Sequence, residues 1–104
     1  MRTAHDIRPA PPCELLREGF LRPMGISSQA LARGTGLGHK LVREIMDGRT
    51  AISPETDLRL SRFLGLSRGY WLHAQADFDS ARAIEKAGSA LDSIQPWARG
   101  SRPP

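Results

Sequence analysis

Glycines set inside an otherwise helical stretch constrain this chain more than any other feature. From Ser27 to Gly48 it reads SSQALARGTGLGHKLVREIMDG. Ser27 is a helix-capping residue, since a serine oxygen there accepts from an amide two or three positions on. Ala30, Leu31 and Ala32 follow, small and apolar, so another helix can approach closely. Gly34 and Gly36 break the pattern, and Gly36 is the natural residue for a left-handed turn. Leu37 then faces inward, and Leu41 or Val42, with Ile45 and Met46, forms an apolar stripe at helical spacing. The opposite face carries Gly38, His39, Lys40, Arg43 and Glu44, and Gly48 stops the helix. A short helix, a glycine turn and a second helix make a helix-turn-helix pattern, whose second helix would lie in a DNA major groove, although the same pattern also occurs in all-α proteins that never touch DNA.

The flanking sequence supplies further helices. Met1–Pro12 reads as an irregular arm, because Pro9, Pro11 and Pro12 oppose a helix there. Cys13–Leu21 predicts a first helix that buries Leu15, Leu16, Phe20 and Leu21, and Pro23, Met24 and Gly25 close it. Ser53-Pro54-Glu55 combines a capping serine, a first-turn proline and an acid at the positive end of the helix dipole. The helix it opens runs through Thr56, Leu58, Leu60, Phe63 and Leu64 to Gly65. Ser67 opens a fifth helix from Tyr70 to about Lys86, with Trp71, Ala74, Phe78 and Ala81 on one face and Gly69 as a small cost in a frayed first turn. After Gly88 the composition shifts to Ser, Gly, Pro and Arg; a mostly disordered tail is expected over 88–104, with room for one amphipathic turn near Leu91–Trp97. The expected fold is all-α: an arm (1–12), a five-helix repressor-like DNA-binding domain (13–87) whose second and third helices form the helix-turn-helix, and the tail.

Composition narrows the function. Fifteen Lys and Arg against eleven Asp and Glu give +4, a mild bias toward a polyanionic partner. A single cysteine, Cys13, excludes an internal disulfide framework and fits a reducing cytoplasm. No apolar run reaches the ~18 residues of a membrane span. No metal site or cofactor is expected: His5, His39, His73 and Cys13 are scattered, without CxxC or HxxxH spacing, and no glycine loop matches a phosphate-binding loop. An enzyme is the weakest reading, since no acid–base constellation is present.

His39, Lys40 and Arg43 are the first choice for reading bases. Lysine and arginine donate to guanine O6 and N7, and the three share one face near the start of the recognition helix. Glu44 is a secondary choice, able to accept from a cytosine amine. Ser28, Gln29, Arg49 and Thr50 are candidates for phosphate contact, the first two because a helix N-terminus favours an anion. Tyr70, Trp71, Ala74 and Phe78 are candidates for the core or for a dimer seam, aromatics being common at both.

Three blocks carry a resemblance to a known family. PCELLREGFLRPMGISSQALAR resembles the opening of HigA-type antitoxins, a branch of the xenobiotic-response-element helix-turn-helix proteins. The block from Gly36 to Arg49, ending REIMDGR, resembles their recognition helix and its exit. ISPETDLRLSRFLGLSRGYWLHAQADFD, from Ile52 to Asp79, resembles their fourth and fifth helices almost step for step. Gly38 and Leu41 depart from the family, which often carries polar residues there, and Ala74 stands where a larger apolar residue is usual. The resemblance implies a homodimer that binds its own double-stranded operator DNA and neutralises a RelE-like toxin, a small ribonuclease that cuts messenger RNA. Two other readings remain open at this stage: an orphan regulator without a toxin, and a protein-interaction module that no longer binds DNA.

Overall fold

The computed structural model describes residues 9–97, and the regular structure among them is entirely helical. Three helical segments, Pro12–Glu14, Leu15–Leu21 and Arg22–Met24, run end to end and together form α1. Then come α2 (Ser28–Thr35), α3 (His39–Met46), α4 (Pro54–Leu64), α5 (Tyr70–Ala87) and the one-turn α6 (Ser89–Asp92). The five expected helices are all present, and α6 is a sixth that begins ahead of the stretch where a turn was anticipated. Most of the expected arm, and the last part of the expected tail, lie outside the described residues.

α1 differs from expectation in length and in pitch. It runs to Met24 rather than ending at Leu21, and its middle segment is π-helical, with the Arg22 N–H donating to the Arg17 carbonyl five residues back. In an α-helix, positions five apart point about 140° away from each other. The wider π turn brings Leu16 and Leu21 to the same side, and both are buried. Pro23, which lacks an N–H and would crowd the carbonyl four residues earlier, follows directly on this widened turn.

Local signals fix most boundaries. Ser27 accepts from the Ala30 N–H at 3.0 Å and Ser53 from the Thr56 N–H at 3.2 Å, so both expected caps are made. Three helices end in the same pair of crossing bonds: Gly25 N to Arg22 O with Ile26 N to Leu21 O, Gly48 N to Ile45 O with Arg49 N to Glu44 O, and Gly65 N to Arg62 O with Leu66 N to Ser61 O. Gly34 departs from expectation. It does not break α2 but lies inside it, directly beneath the Phe63 ring, where a Cβ would land on the aromatic carbons.

The core joins Leu16 and Leu21 of α1, Leu31 and Ala32 of α2, Val42 and Ile45 of α3, Ile52, Leu60 and Leu64, and Trp71 of α5. Leu37 is half-buried against it, and of the two alternatives Val42 takes the fully buried place while Leu41 is half-buried. Trp71 is 0% exposed. Phe20 and Tyr70 meet its ring edge-on at 5.4 and 5.1 Å, an arrangement that adds about 0.5–1.5 kcal/mol per pair beyond area burial. Trp71 is therefore core. Ala74 and Phe78 are half-buried, and Tyr70 reaches the surface.

One polar residue holds the fourth and fifth helices together. Asp57 is 1% exposed, and its carboxylate accepts from the Gly69 N–H at 2.7 Å, the Trp71 N–H at 2.8 Å and the Leu72 N–H at 3.3 Å. The Ser61 hydroxyl donates to it as well, at 3.3 Å. The start of α5 is thus not frayed: amides that would otherwise be orphaned at a helix N-terminus are satisfied by a charged group from α4. Gly69 takes φ 91° to present its amide, a conformation that L side chains resist.

Candidate nucleic-acid interface

The turn between α2 and α3 is built from backbone that its residues dictate. Thr35 donates its hydroxyl to the Leu31 carbonyl at 2.7 Å and accepts from the Leu37 N–H at 3.3 Å, closing the end of α2. Gly36 is left-handed at φ 74°, as expected. Gly38 is not part of the outward face of α3; it is the residue before the helix, at φ 87° and ψ 154°, a combination essentially confined to glycine. Its departure from a larger polar residue is a backbone requirement in this chain.

Two arginines from outside the motif cap its helices. Arg59 of α4 donates to the Thr35 carbonyl at the end of α2 (2.8 Å), while pairing with Glu55 at 3.0 Å. Arg17 of α1 donates to the Met46 carbonyl at the end of α3 (2.9 Å). Cationic donors at helix C-termini satisfy orphan carbonyls and oppose the negative end of the dipole. Sequence reasoning missed Arg17, Arg59 and Asp57 as positioning residues. Arg59 carried a partial signal in its spacing from Glu55; the other two partners are distant in sequence.

With α3 fixed from below by Val42 and Ile45, its outer face is set. His39, Lys40 and Arg43 are exposed and Glu44 is half-buried. His39 and Lys40 open the helix, and Arg43 follows one turn later on the same side. Ser28 and Gln29 open α2, both exposed, ahead of the Ala30 and Leu31 amides that Ser27 takes. Arg49 is exposed and Thr50 half-buried in the connector beyond α3. The structure therefore groups the base-reading candidates on α3 and sets the phosphate-contact candidates at the two ends of the motif. Tyr70, Trp71, Ala74 and Phe78 lie on α5, and of these Phe78 shares the lining of one cleft with Arg49 and Thr50. Among the described residues no cluster of His, Cys, Asp or Glu could hold a metal ion, and no helix is long and apolar enough to cross a membrane.

This arrangement defines a helix-turn-helix protein of the repressor class. No family model matches the chain. It is 34% identical over 91 residues to virulence-associated protein I of Dichelobacter nodosus, covering 88% of this chain and 83% of that protein. It is 35% identical over 72 residues to antitoxin HigA-1 of Vibrio cholerae, covering 69% of this chain and 68% of that protein. Among solved structures it superimposes on the Pseudomonas aeruginosa antitoxin HigA with higBA promoter at a TM-score of 0.76 and 32% identity, over 88% of this chain and all (100%) of that one. The chain belongs to the HigA antitoxin family, a family of DNA-binding antitoxins rather than of enzymes.

Proposed function

We propose that this chain is a cytoplasmic antitoxin and autorepressor, a homodimer that binds operator DNA through α3 and neutralises a RelE-like, messenger-RNA-cleaving toxin. The observation that carries the reading is the exposed His39, Lys40 and Arg43 on a helix whose end is tied by Arg17 and whose underside is core. A recognition helix must be rigid to present side chains to base edges, and these caps supply that rigidity. Arg43 and Lys40 read guanine, His39 reads a neighbouring base edge, and Glu44 accepts from cytosine or orients Lys40. Ser28, Gln29, Arg49 and Thr50 hold the phosphates on either side, which fixes register without specifying sequence. Residues 13–87 are the DNA-binding domain, and the flanking segments are accessory to it.

The test pairs growth with binding. The neighbouring small gene is expressed alone and with this chain, and the chain is titrated against its upstream DNA at two salt concentrations. Growth arrest relieved through a co-purifying complex, with salt-dependent operator binding, supports the whole reading. Operator binding with a harmless neighbour leaves an orphan regulator. Toxin binding without any salt-dependent DNA shift leaves an interaction module.

A further inference from the structure

The exit of α3 and the middle of α5 open onto one cleft. It has a volume of about 240 Å³, and its lining includes Arg49 and Thr50 of the connector with Phe78, Asp79 and Arg82 of α5. Helical spacing would let Arg82 pair with Asp79, one turn earlier. The structure does otherwise. Both Asp79 oxygens accept from Gln75 Nε2 at 3.1 Å, and the Arg82 guanidinium lies 5.5 Å from the centre of the Phe78 ring. Among the described residues, the side chains of Arg49, Thr50 and Arg82 have no hydrogen-bond or ion-pair partner. The cleft thus holds two uncompensated guanidiniums and a hydroxyl, against one carboxylate that is already engaged. A second cleft shares Asp79 and Arg82 and continues to Glu85 and Lys86, where the charges balance, so the positive excess ends at Arg82.

We propose that Arg82 is a DNA-binding residue outside the helix-turn-helix: with Arg49 and Thr50 it holds a backbone phosphate of double-stranded DNA in this cleft. The inference rests on the operator-binding reading above and deepens it with a contact from α5. The ligand follows from the chemistry of the lining. A guanidinium presents parallel N–H donors that match the oxygens of a phosphate, and a threonine hydroxyl supplies a further donor. The source of that phosphate follows from position. The connector leaves the recognition helix where a docked duplex presents its backbone, and phosphates along one strand advance about 3.4 Å each along the axis. A strand that meets Arg49 and Thr50 therefore runs on past the mouth of the cleft. The Phe78 ring keeps the guanidinium there before DNA arrives, which lowers the ordering cost of the contact. Asp79 limits its strength, since a carboxylate opposes the phosphate. A phosphate contact positions the protein and carries no base information, so Arg82 governs affinity and register rather than sequence choice.

Titration of the full chain against its upstream DNA and against a scrambled duplex, over a range of salt, tests the contact. Arg82→Gln is expected to reduce the slope of log affinity against log salt by about 1 for each bound copy, on both duplexes alike. The preference for upstream DNA over the scrambled duplex is expected to stay at the wild-type value. Arg82→Lys keeps the charge and is expected to keep the slope. Arg68→Gln removes an equal charge from a different groove and is expected to leave the slope unchanged. Asp79→Asn is expected to tighten binding to both duplexes. Arg68, Asp79 and Arg82 are exposed, so helix content by circular dichroism and sedimentation are expected to match the wild type. The proposal is overturned if Arg82→Gln keeps the wild-type slope, if its loss falls on the upstream DNA alone, or if Arg68→Gln loses as much. It is equally overturned if Arg82→Gln weakens only capture of the toxin, which would make the cleft a protein surface. A wild type that binds both duplexes equally sinks the operator reading and leaves the cleft to be judged by the Arg82 slope. A wild type that prefers its upstream DNA while Arg82→Gln keeps the slope sinks the cleft alone, and one that binds neither duplex sinks both.

Discussion

Two carboxylates, twenty-two residues apart, show how differently the halves of this molecule are built. Asp57 is buried in the helix-turn-helix half and accepts from three backbone amides and a serine. Asp79, midway along α5, is exposed and meets the Gln75 side-chain amide at 3.1 Å, one turn away on its own helix. The first contact joins two helices; the second decorates one. The same division runs through the arginines. Arg17 and Arg59 close helices that are not their own, whereas Arg82 lies over Phe78 of its own helix, 5.5 Å from the ring centre. The first half of α5 is still tied from a distance, by Asp57 and by the Ile52 N–H donating to Gln75 Oε1 at 3.2 Å, whereas the contacts of Asp79 and Arg82 stay within the helix.

The sharpest way to break that comparison is Asp57→Ala. It strands three amides at the buried start of α5, and a loss of about 3 kcal/mol or more in urea unfolding is expected. A loss below about 1 kcal/mol would mean that water replaces the carboxylate cheaply, against the burial seen here. Next comes Arg43→Ala, expected to cost about 1–3 kcal/mol of operator affinity, with a matching drop in sequence discrimination and little change in melting temperature. Gly38→Ala forces an alanine into a glycine conformation and is expected to cost about 1–3 kcal/mol of stability. Arg59→Ala leaves the Thr35 carbonyl to solvent, and about 1 kcal/mol is expected in the same unfolding experiment. Asp79→Ala is the control from the other half: an exposed contact, expected to change stability by less than about 0.5 kcal/mol. Should Asp79→Ala match Asp57→Ala, the division between the halves would be wrong.

What was legible in the sequence follows the same line. Ser27, Ser53, Gly36 and Gly48 act through bonds to residues within a few positions and Pro54 through its own fixed φ, and each stands where the sequence set it. The core stripes of α2 and α3 were legible for the same reason, since helical period alone decides which residues turn inward. The π-helical turn of α1 was not: Leu15, Leu16, Phe20 and Leu21 suit either pitch, and only packing chose the wider one. Gly34 looked like a helix breaker because its reason for being glycine, the Phe63 ring, lies in another helix. Gly69 looked like a weakness for a similar reason, its partner Asp57 being twelve residues back. At the interface the residue types of α3 were readable, and the arginines that hold the helix ends were not.

The Asp57 clamp also has a mechanical meaning. α4 grips α2 through Arg59 and α5 through Asp57, so it serves as the axle on which the reading head and the long lever are both mounted. An angular error at that joint grows with the length of the lever. A tilt of about 5° at the first turn would move the far end of an eighteen-residue helix, about 27 Å away, by about 2 Å. In a symmetric pair such an error would appear twice, once in each arm, and would reset the spacing between the two reading heads. In the proposed homodimer the tolerance of that spacing would be set at a single buried carboxylate, far from any base.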